Sequence, residues 1–537
     1  MNIPKKFLSL LILSAVFSFN IFSVVGSGGE PDKPKYQKRR AGQRSKKGRE
    51  KLAKEDIWYG LPSEAEFDEQ TETFDKEMAA EMEHQRMLVP SKRRTVLRLE
   101  PAEKKKFEFK FHGYVRMDAF TDSRQSVDYW KGIDYSYPKA PAYDPSGRDI
   151  NEKAQFTMVP FGKVIAEVIG PDVYGAKSSA VIKADIPGKF RVEEVSEHTH
   201  DPFGMFRYQH GYLNLDWERT KVLAGVYYSP VVLLELCADT VGINAGEFFD
   251  PFNYSSMVRI KHHADPFEFT FAVHKLFWYK QWRDSLAPSL YGQVTAHIGE
   301  HMVTAGVNMD AFTQCLETDP KLAENLVTPS AQNISVIINN PTSTATIPDY
   351  GYQQHESIVH WLAFVGGVLK KNNVTWKHRL TYAQCPFLYT LIGGFGSCER
   401  NPKTDYRNCT TTASLSYWTE LSHTTKNREI GVFVGYTKNL GSRHKLVNKY
   451  TTKELFGQLL ERKDSGNPYV FGEATNMDHA FRIQPRIRWF HGPITIGIEL
   501  EYDRAAYGTT NNCGRVDVDE CKKVSNTRLL TSVVYAF

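Results

Sequence analysis

Residues 527–537, TRLLTSVVYAF, decide the fold of this chain. Side chains two apart on a strand share one face, here Leu529, Thr531, Val533, Tyr535 and Phe537. In a soluble protein such a strand would form an exposed apolar edge, which promotes aggregation. A closed transmembrane β-barrel leaves no edge, because its last strand pairs with its first. A chance C-terminal strand is the alternative, but a terminal phenylalanine is also the usual insertion signal of bacterial outer-membrane barrels.

Residues 1–26 have the pattern of a secretory signal peptide. Lys5 and Lys6 precede an apolar run at 7–22, and small residues suited to cleavage follow at 24–26. The run is short for a membrane-spanning helix, and no later window holds about eighteen consecutive apolar residues. We therefore expect an exported chain without a helical membrane domain.

The composition agrees with a barrel and argues against a nucleic-acid partner. Aromatic residues make up 13% of the chain, including 27 tyrosines, as the two interfacial girdles of a barrel require. The mean hydropathy of -0.43 is compatible with a membrane barrel, because only every second residue of a strand meets lipid. The net charge of +5 is small beside 67 basic and 62 acidic side chains, so it gives no support for nucleic-acid binding.

Residues 27–106 form a charged extension that differs from the rest. A basic, low-complexity run is followed by an acidic, helix-prone part at 63–87. That part carries a weak apolar stripe made of Phe67, Phe74, Met78, Met82 and Met87. The pattern predicts a short periplasmic helix that trimerises or plugs the pore, with a solvated tether as the alternative.

From residue 107 the sequence alternates strictly. One face of the predicted strand at 107–121 is apolar, with Phe107, Phe109, Phe111, Val115, Met117 and Ala119. The opposite face is polar, with Glu108, Lys110, His112, Arg116 and Asp118. Lipid outside and water inside explain this alternation, and the strand is long enough to cross a membrane at a tilt.

The same pattern recurs along residues 107–537, which we predict to form an all-β, transmembrane antiparallel barrel of about sixteen strands. Seven short turns alternate with eight long connections, so both chain ends fall on the periplasmic side. The predicted strands are 107–121, 154–169, 173–186, 206–217, 221–229, 257–263, 267–277, 289–298, 302–312, 357–370, 374–384, 412–423, 429–440, 477–490, 493–502 and 526–537.

A barrel of this size encloses an aqueous channel, whose selectivity normally comes from a loop folded inward. The connection at 230–256 is the candidate, because it is unusually apolar and contains glycine. Packing against a neighbouring subunit is the alternative explanation of that composition. The candidate constriction residues are its acidic side chains, Glu235, Asp239, Glu247 and Asp250.

Basic residues fall on the predicted inner face of several strands. Arginine facing lipid would be costly, so these side chains must face the lumen. Rings of arginine and lysine favour anions, although the acidic loop residues could equally neutralise them. The candidate pore-lining residues are Arg116, Arg259, Lys261, Arg482, Arg486 and Arg488.

Seven cysteines are many for such a barrel. We predict two disulfides that staple loops, Cys398–Cys409 and Cys513–Cys521, because these neighbours lie in polar stretches of an exported chain. Cys237, Cys315 and Cys385 remain, and the odd number leaves at least one thiol unpaired. No CxxC spacing occurs, so we expect no metal site.

An enzyme is the competing class of function. The sequence contains no GxSxG motif, and its histidines are scattered over different strands and loops. A plugged transporter would need a larger folded N-terminal domain than residues 27–106 offer. We therefore expect neither catalysis nor a cofactor.

Particular segments resemble the DcaP-like outer-membrane porins: KVLAGVYYSPVV (221–232), VGINAGEFFDPFNYSSMVRI (241–260), VFVGYTKNLG (432–441) and EYDRAAYG (501–508). The resemblance covers about 107–537. It implies a sixteen-stranded homotrimer that passes small, often negatively charged solutes such as carboxylates. Its inward loop would correspond to 230–256, and its helical extension to 63–87. The cysteines, the basic N-terminal run and the acidic loop residues depart from that pattern.

These observations predict a porin in the bacterial outer membrane, surrounded by lipid and with its N-terminus in the periplasm. It would pass small hydrophilic solutes with a weak preference for anions such as carboxylates. The alternative is a structural or surface-binding, adhesin-like barrel whose outer loops are stapled by disulfides.

Deleting Phe537 should impair assembly rather than transport, because the terminal strand closes the barrel but lies away from the inner arginines. The amount of folded protein in the outer membrane should fall, whereas the conductance of each remaining channel should not change. Normal assembly of the truncated chain would contradict the role assigned to this residue.

Overall fold

The computed structural model describes residues 95–96, 107–129, 134–186, 207–276, 283–284, 287–314, 317–319, 351–354, 356–455 and 458–537. The predicted signal peptide at 1–26 and the predicted helix at 63–87 lie outside the described residues. Among the described residues, no helix is long and apolar enough to cross a membrane.

Sixteen long strands form one antiparallel sheet that closes on itself. They are β1 (Glu108–Asp122), β2 (Gln155–Ile169), β3 (Lys177–Ile186), β4 (Arg207–Trp217), β5 (Thr220–Tyr228), β6 (Tyr254–Ala264), β7 (Phe267–Leu276), β8 (Ser289–Ile298), β9 (His301–Thr313), β10 (Ser357–Lys371), β11 (Val374–Gln384), β12 (Arg407–Thr424), β13 (Arg428–Ser442), β14 (Met477–His491), β15 (Ile494–Thr510) and β16 (Val516–Ala536).

Closure is made by the first and last strands. β1 pairs with β2 on one edge and with β16 on the other, in a register that runs from Tyr114 opposite Ala536 to Asp122 opposite Arg528. At the extreme C-terminus, Gly113 and Phe537 exchange both backbone hydrogen bonds, each 2.9 Å long. The predicted pairing of the terminal strand with the first strand is therefore confirmed.

The alternation of the sequence matches the two faces of the barrel. In β1, Phe109, Val115 and Met117 are exposed on the outer face, whereas Lys110 and Arg116 are buried inside. Outer-face residues elsewhere are also large and apolar, including Phe267, Phe269, Phe271, Trp361 and Leu529. The predicted all-β barrel of sixteen antiparallel strands is confirmed.

Seven short connections lie at one end of the barrel, at 170–176, 218–219, 265–266, 299–300, 372–373, 425–427 and 492–493. The connections at the opposite end carry extra elements. The strands Ser126–Tyr129 and Asp134–Pro138 form a hairpin, Pro386–Tyr389 forms a 3-10 helix, and Gly393–Arg400 pairs with Val470–Glu473. The remaining short strands are Thr95–Val96, Arg283–Asp284, Asn448–Leu455 and Gln458–Pro468.

The two largest errors in the predicted boundaries lie at the long-loop end. β15 ends at Thr510 rather than near 502, and β16 begins at Val516 rather than near 526. The two strands continue as a hairpin, with Gly508 opposite Val518. The alternation of apolar and polar residues ends before the backbone pairing of the two strands does. The sequence pattern therefore predicted strands that were too short.

Neither predicted disulfide is formed. Cys398 and Cys513 are free thiols in the structure. Cys398 lies at a bulge between Ser397 and Glu399, and Cys409 pairs with Ser397 rather than with Cys398. The Cys398 thiol donates instead to the carbonyl of Asn408 at 3.4 Å. Cys237 and Cys385 are buried and free.

Substituting Gly113 by alanine should prevent the barrel from closing. A Cβ atom there would lie 2.2 Å from the backbone oxygen of Lys163, and no flexible side chain can yield to it. Gly292→Ala is the matched control, because nothing lies within 4 Å of its Cβ position on β8. Gel mobility before and after heating measures folded barrel; equal folding of both variants would contradict this prediction.

Candidate functional site

The connection between β5 and β6, residues 229–253, is folded into the barrel and is called the inner loop below. Most of its side chains are buried, and Val231, Leu236 and Asp239 are fully so. Apolar residues of the inner loop pack on inward-facing side chains of the wall: Phe249 contacts Phe433, and Leu236 lies in the same cluster as Trp418. The loop predicted to fold inward thus lies inside the lumen.

The inner loop crosses the lumen to the far wall. It leaves the sheet at β5 and returns at β6, yet its backbone contacts β1, β11, β14 and β15. Arg379 donates to the carbonyl of Val231, Lys377 to that of Cys237 and Arg116 to that of Val241, each at 2.9 Å. In a ring of sixteen strands, β13 and β14 lie opposite β5 and β6.

Carboxylates of the far wall bind backbone amides of the inner loop. Glu499 accepts from the amides of Val241 and Gly242, at 2.7 and 2.8 Å. Glu420 accepts from the amide of Asp239 at 2.7 Å. Gly242 permits this approach, because a Cβ atom there would lie 3.3 Å from both Glu499 and Glu501. Charged acceptors make such bonds stronger than neutral ones.

The inward arginines of β14 are tied into the same network. Arg488 donates to the carbonyls of Asp239 and Thr240, so it binds the inner loop directly. Arg486 lies between two carboxylates, 3.2 Å from Glu420 and 3.1 Å from Glu429. These contacts satisfy buried charges that would otherwise be costly inside the barrel.

Arg482, the third of these arginines, contacts a different connection. It bonds to Asp503 at 2.7 Å and donates to the carbonyl of Ser136 in the hairpin that follows β1. That hairpin also lies inside the mouth of the barrel, where the side-chain amide of Asn244 donates to the backbone carbonyl of Tyr135 at 3.1 Å. The hairpin and the inner loop therefore support each other.

The hairpin is also hydrogen-bonded to other elements at the long-loop end of the barrel. Tyr137 of the hairpin donates to Glu473 of the strand Val470–Glu473. Burial raises the pKa of the Glu473 carboxyl, and the hydrogen bond from Tyr137 opposes that rise. The phenol of Tyr507 donates to the carbonyl of Pro138.

The four predicted constriction acids have different environments. Asp239 lies 3.1 Å from Lys377, and Asp250 lies 3.1 Å from Arg379, so both attach the inner loop to β11. Glu247 is buried. Glu235 is the exposed one of the four, and it lines an open cleft.

The six predicted pore-lining cations also separate into two groups. Arg116, Arg482, Arg486 and Arg488 point inward but are at most 4% exposed. Arg116 and Arg488 bind the inner loop and Arg482 binds the hairpin, whereas Arg486 bonds to Glu420 and Glu429 of the wall. Arg259 and Lys261 lie on the inner face of β6 beside the open cleft. Of the six, these two line the open cleft.

The cleft lies between the start of the inner loop and the wall from β5 to β9. The guanidinium of Arg259 lies 5.2 Å from the ring centre of Tyr227. The ammonium of Lys261 lies 3.6 Å from the carboxylate of Glu268. The lining residues are Tyr227, Pro230, Val232, Leu233, Leu234, Glu235, Arg259, Lys261, Glu268, Thr270, Gln293, Thr295 and Met302.

Sequence reasoning missed the partners of the arginines. Glu420, Glu429 and Glu499 occupy inward positions of β12, β13 and β15 and are fully buried. These glutamates alternate with outward apolar residues, and a lone carboxylate on a membrane strand must also face inward. The sequence pattern could therefore have predicted their inward position. It also missed Lys163 and Lys183, which are buried on β2 and β3 near the Arg207–Asp185 ion pair.

The fold is similar to that of the outer membrane channel DcaP of Acinetobacter baumannii, with a TM-score of 0.51 and 13% identity over 80% of this chain and 98% of that chain. The comparison with the anion-selective porin from Comamonas acidovorans gives a TM-score of 0.43 and 8% identity, over 80% of this chain and 100% of that chain. The comparison with OmpT of Vibrio cholerae, an outer membrane protein, gives a TM-score of 0.42 and 10% identity, over 82% of this chain and 100% of that chain. No protein-family description and no curated protein sequence matches. The resemblance to DcaP is confirmed for the fold.

Replacing Glu499 by alanine should loosen the inner loop. The change leaves two buried amides of Val241 and Gly242 without an acceptor, at a local cost of about 1–3 kcal/mol each. Single-channel recordings should show a larger and noisier conductance while the barrel stays folded. Glu300→Ala, in an exposed turn between β8 and β9, is the control; identical currents from both variants would contradict the prediction.

Proposed function

We propose that this chain is a porin of the bacterial outer membrane that lets small hydrophilic solutes diffuse through its lumen. One observation carries the proposal: a closed sixteen-stranded barrel with an apolar outer face encloses a loop that leaves an open cleft between itself and part of the wall. A lipid-facing wall and a polar interior suit an aqueous channel. The likeness in fold to a structure described as an outer membrane channel supports the same function.

The proposed location follows from the same features. The N-terminus and the seven short turns would lie in the periplasm, after export by the signal peptide at 1–26. The extension at 27–106 would then be periplasmic. We further propose that the barrel is a homotrimer, as the resemblance to the DcaP-like porins implies.

A weak preference for anions such as carboxylates is proposed for the open cleft. Arg259 and Lys261 are the candidate cations that border it, and they lie on neighbouring inward positions of β6. A guanidinium and an ammonium both bind carboxylates. Glu235 and Glu268 line the same cleft, so the preference should be weak.

A non-conducting, surface-binding barrel is the second candidate. The lumen contains an apolar core, with Leu362, Phe387 and Phe395 buried against connections of the long-loop end. Such packing narrows the outer mouth of the barrel. This candidate and a porin differ in one measurable property, because a sealed barrel carries no current.

Conductance of the purified protein in planar lipid bilayers separates the two. A porin gives stepwise, ohmic currents in potassium chloride, and the steps come in threes for a trimer. No current from protein that is folded by circular dichroism and gel mobility would reject the porin and favour the surface-binding barrel.

Substituting both Arg259 and Lys261 by serine should shift the reversal potential in a salt gradient toward cation selectivity. The two cations border the open cleft, whereas Arg486 and Arg488 are buried in the network that holds the inner loop. Arg486→Ser with Arg488→Ser is the comparison, and it should change current noise more than selectivity. An unchanged reversal potential in the first variant, or cation selectivity in the unmodified protein, would contradict the proposed anion preference.

A further inference from the structure

The open cleft carries both signs of charge, on two neighbouring strands and on the inner loop. Arg259 and Lys261 lie on β6, Glu268 lies on the neighbouring β7, and Glu235 is contributed by the inner loop. Two cations and two carboxylates thus share one cleft. A cleft that selected anions alone would place only the cations there.

The charges of the cleft can exchange partners. Lys261 and Glu268 are 3.6 Å apart, and their side chains are 23% and 26% exposed. A partly exposed pair at this distance contributes little to stability. A solute that brings a carboxylate to Lys261 and a cationic group to Glu268 therefore replaces one weak ion pair by two.

The floor of the cleft is polar but already hydrogen-bonded. Gln293 donates to the hydroxyls of Thr295 and Thr304, both at 2.9 Å, and accepts from the phenol of Tyr291 at 2.9 Å. These side chains therefore already use one another as hydrogen-bond partners. An uncharged polyol, which needs many donors and acceptors from the wall, gains little from this floor.

The rest of the lining is apolar and holds one cation in place. Leu233 and Leu234 of the inner loop and Met302 of β9 line the same cleft as the charged groups. The guanidinium of Arg259 lies over the ring of Tyr227, which favours a fixed position. The lining therefore suits a compact solute that carries charged groups of both signs and at most a small apolar part.

We propose that this cleft favours small zwitterionic carboxylates, the amino-acid type of solute. The carboxylate of the solute binds at Arg259 and Lys261, and its ammonium binds at Glu235 and Glu268. The inference rests on the proposed porin function and narrows its anion preference to carboxylates that also carry a positive charge.

Swelling of liposomes that contain the full-length protein tests the inference, with glycine, sodium succinate and ribose as probes. The key variant is Glu235→Gln with Glu268→Gln. The matched control is Glu218→Gln with Glu300→Gln, which removes two carboxylates from exposed short turns outside the cleft. Gel mobility before and after heating verifies that each variant is folded.

In the unmodified protein, glycine should enter faster than succinate after correction for size. In the cleft variant, the glycine rate relative to ribose should fall about threefold, the effect expected of exposed ion pairs, and the succinate rate should rise. The control variant should keep the original ratios. Faster entry of succinate than glycine in the unmodified protein, or equal ratios in the two variants, would overturn the inference and leave the porin intact.

A different result would reject the porin itself. If folded protein neither conducts potassium chloride nor lets ribose enter, the barrel is closed to all solutes, and the inference fails together with the proposed function. Conductance with unselective swelling rejects the zwitterion preference alone.

Discussion

Closure of the sheet is the constraint on which the rest of the molecule depends. Lipid offers no hydrogen-bond partner, so every backbone amide and carbonyl that crosses it must be paired within the protein. A sheet satisfies this condition only when its first strand pairs with its last, as β1 and β16 do here. The apolar outer face, the polar inner face and the position of Phe537 opposite Gly113 all follow from that closure.

The polar inner face creates a second requirement, because charges in a narrow lumen must be either hydrated or paired. On the far wall they are paired with the inner loop. Glu420, Glu499 and Arg488 bind its backbone. These charged side chains face inward because lipid lies outside, and in that position they hold the loop across the lumen. Open space then remains on the side of Arg259 and Lys261, where inner loop and wall leave a cleft.

Strand positions were predictable because alternation is a local property. Side chains two apart must share an environment, so β8 and β11 were predicted with the bounds that the structure gives, 289–298 and 374–384. Errors arose where the strands remain paired although the apolar and polar residues no longer alternate, and where the pairing is irregular. β16 continues into the loop region as far as Val516, and Cys409, which was predicted to bond to Cys398, lies opposite Ser397 in a bulged hairpin.

The sequence by itself determined the barrel, the inward direction of its charged side chains and the choice of 230–256 as the inward loop. Periodicity fixes which face a residue occupies, and the cost of a charge in lipid fixes which face is inside. Only the tertiary structure decided which inward charges meet protein and which meet water. Arg486 and Arg259 have the same local pattern, but Arg486 lies between two glutamates in the network that holds the inner loop, whereas Arg259 lies beside a cleft that the loop leaves open.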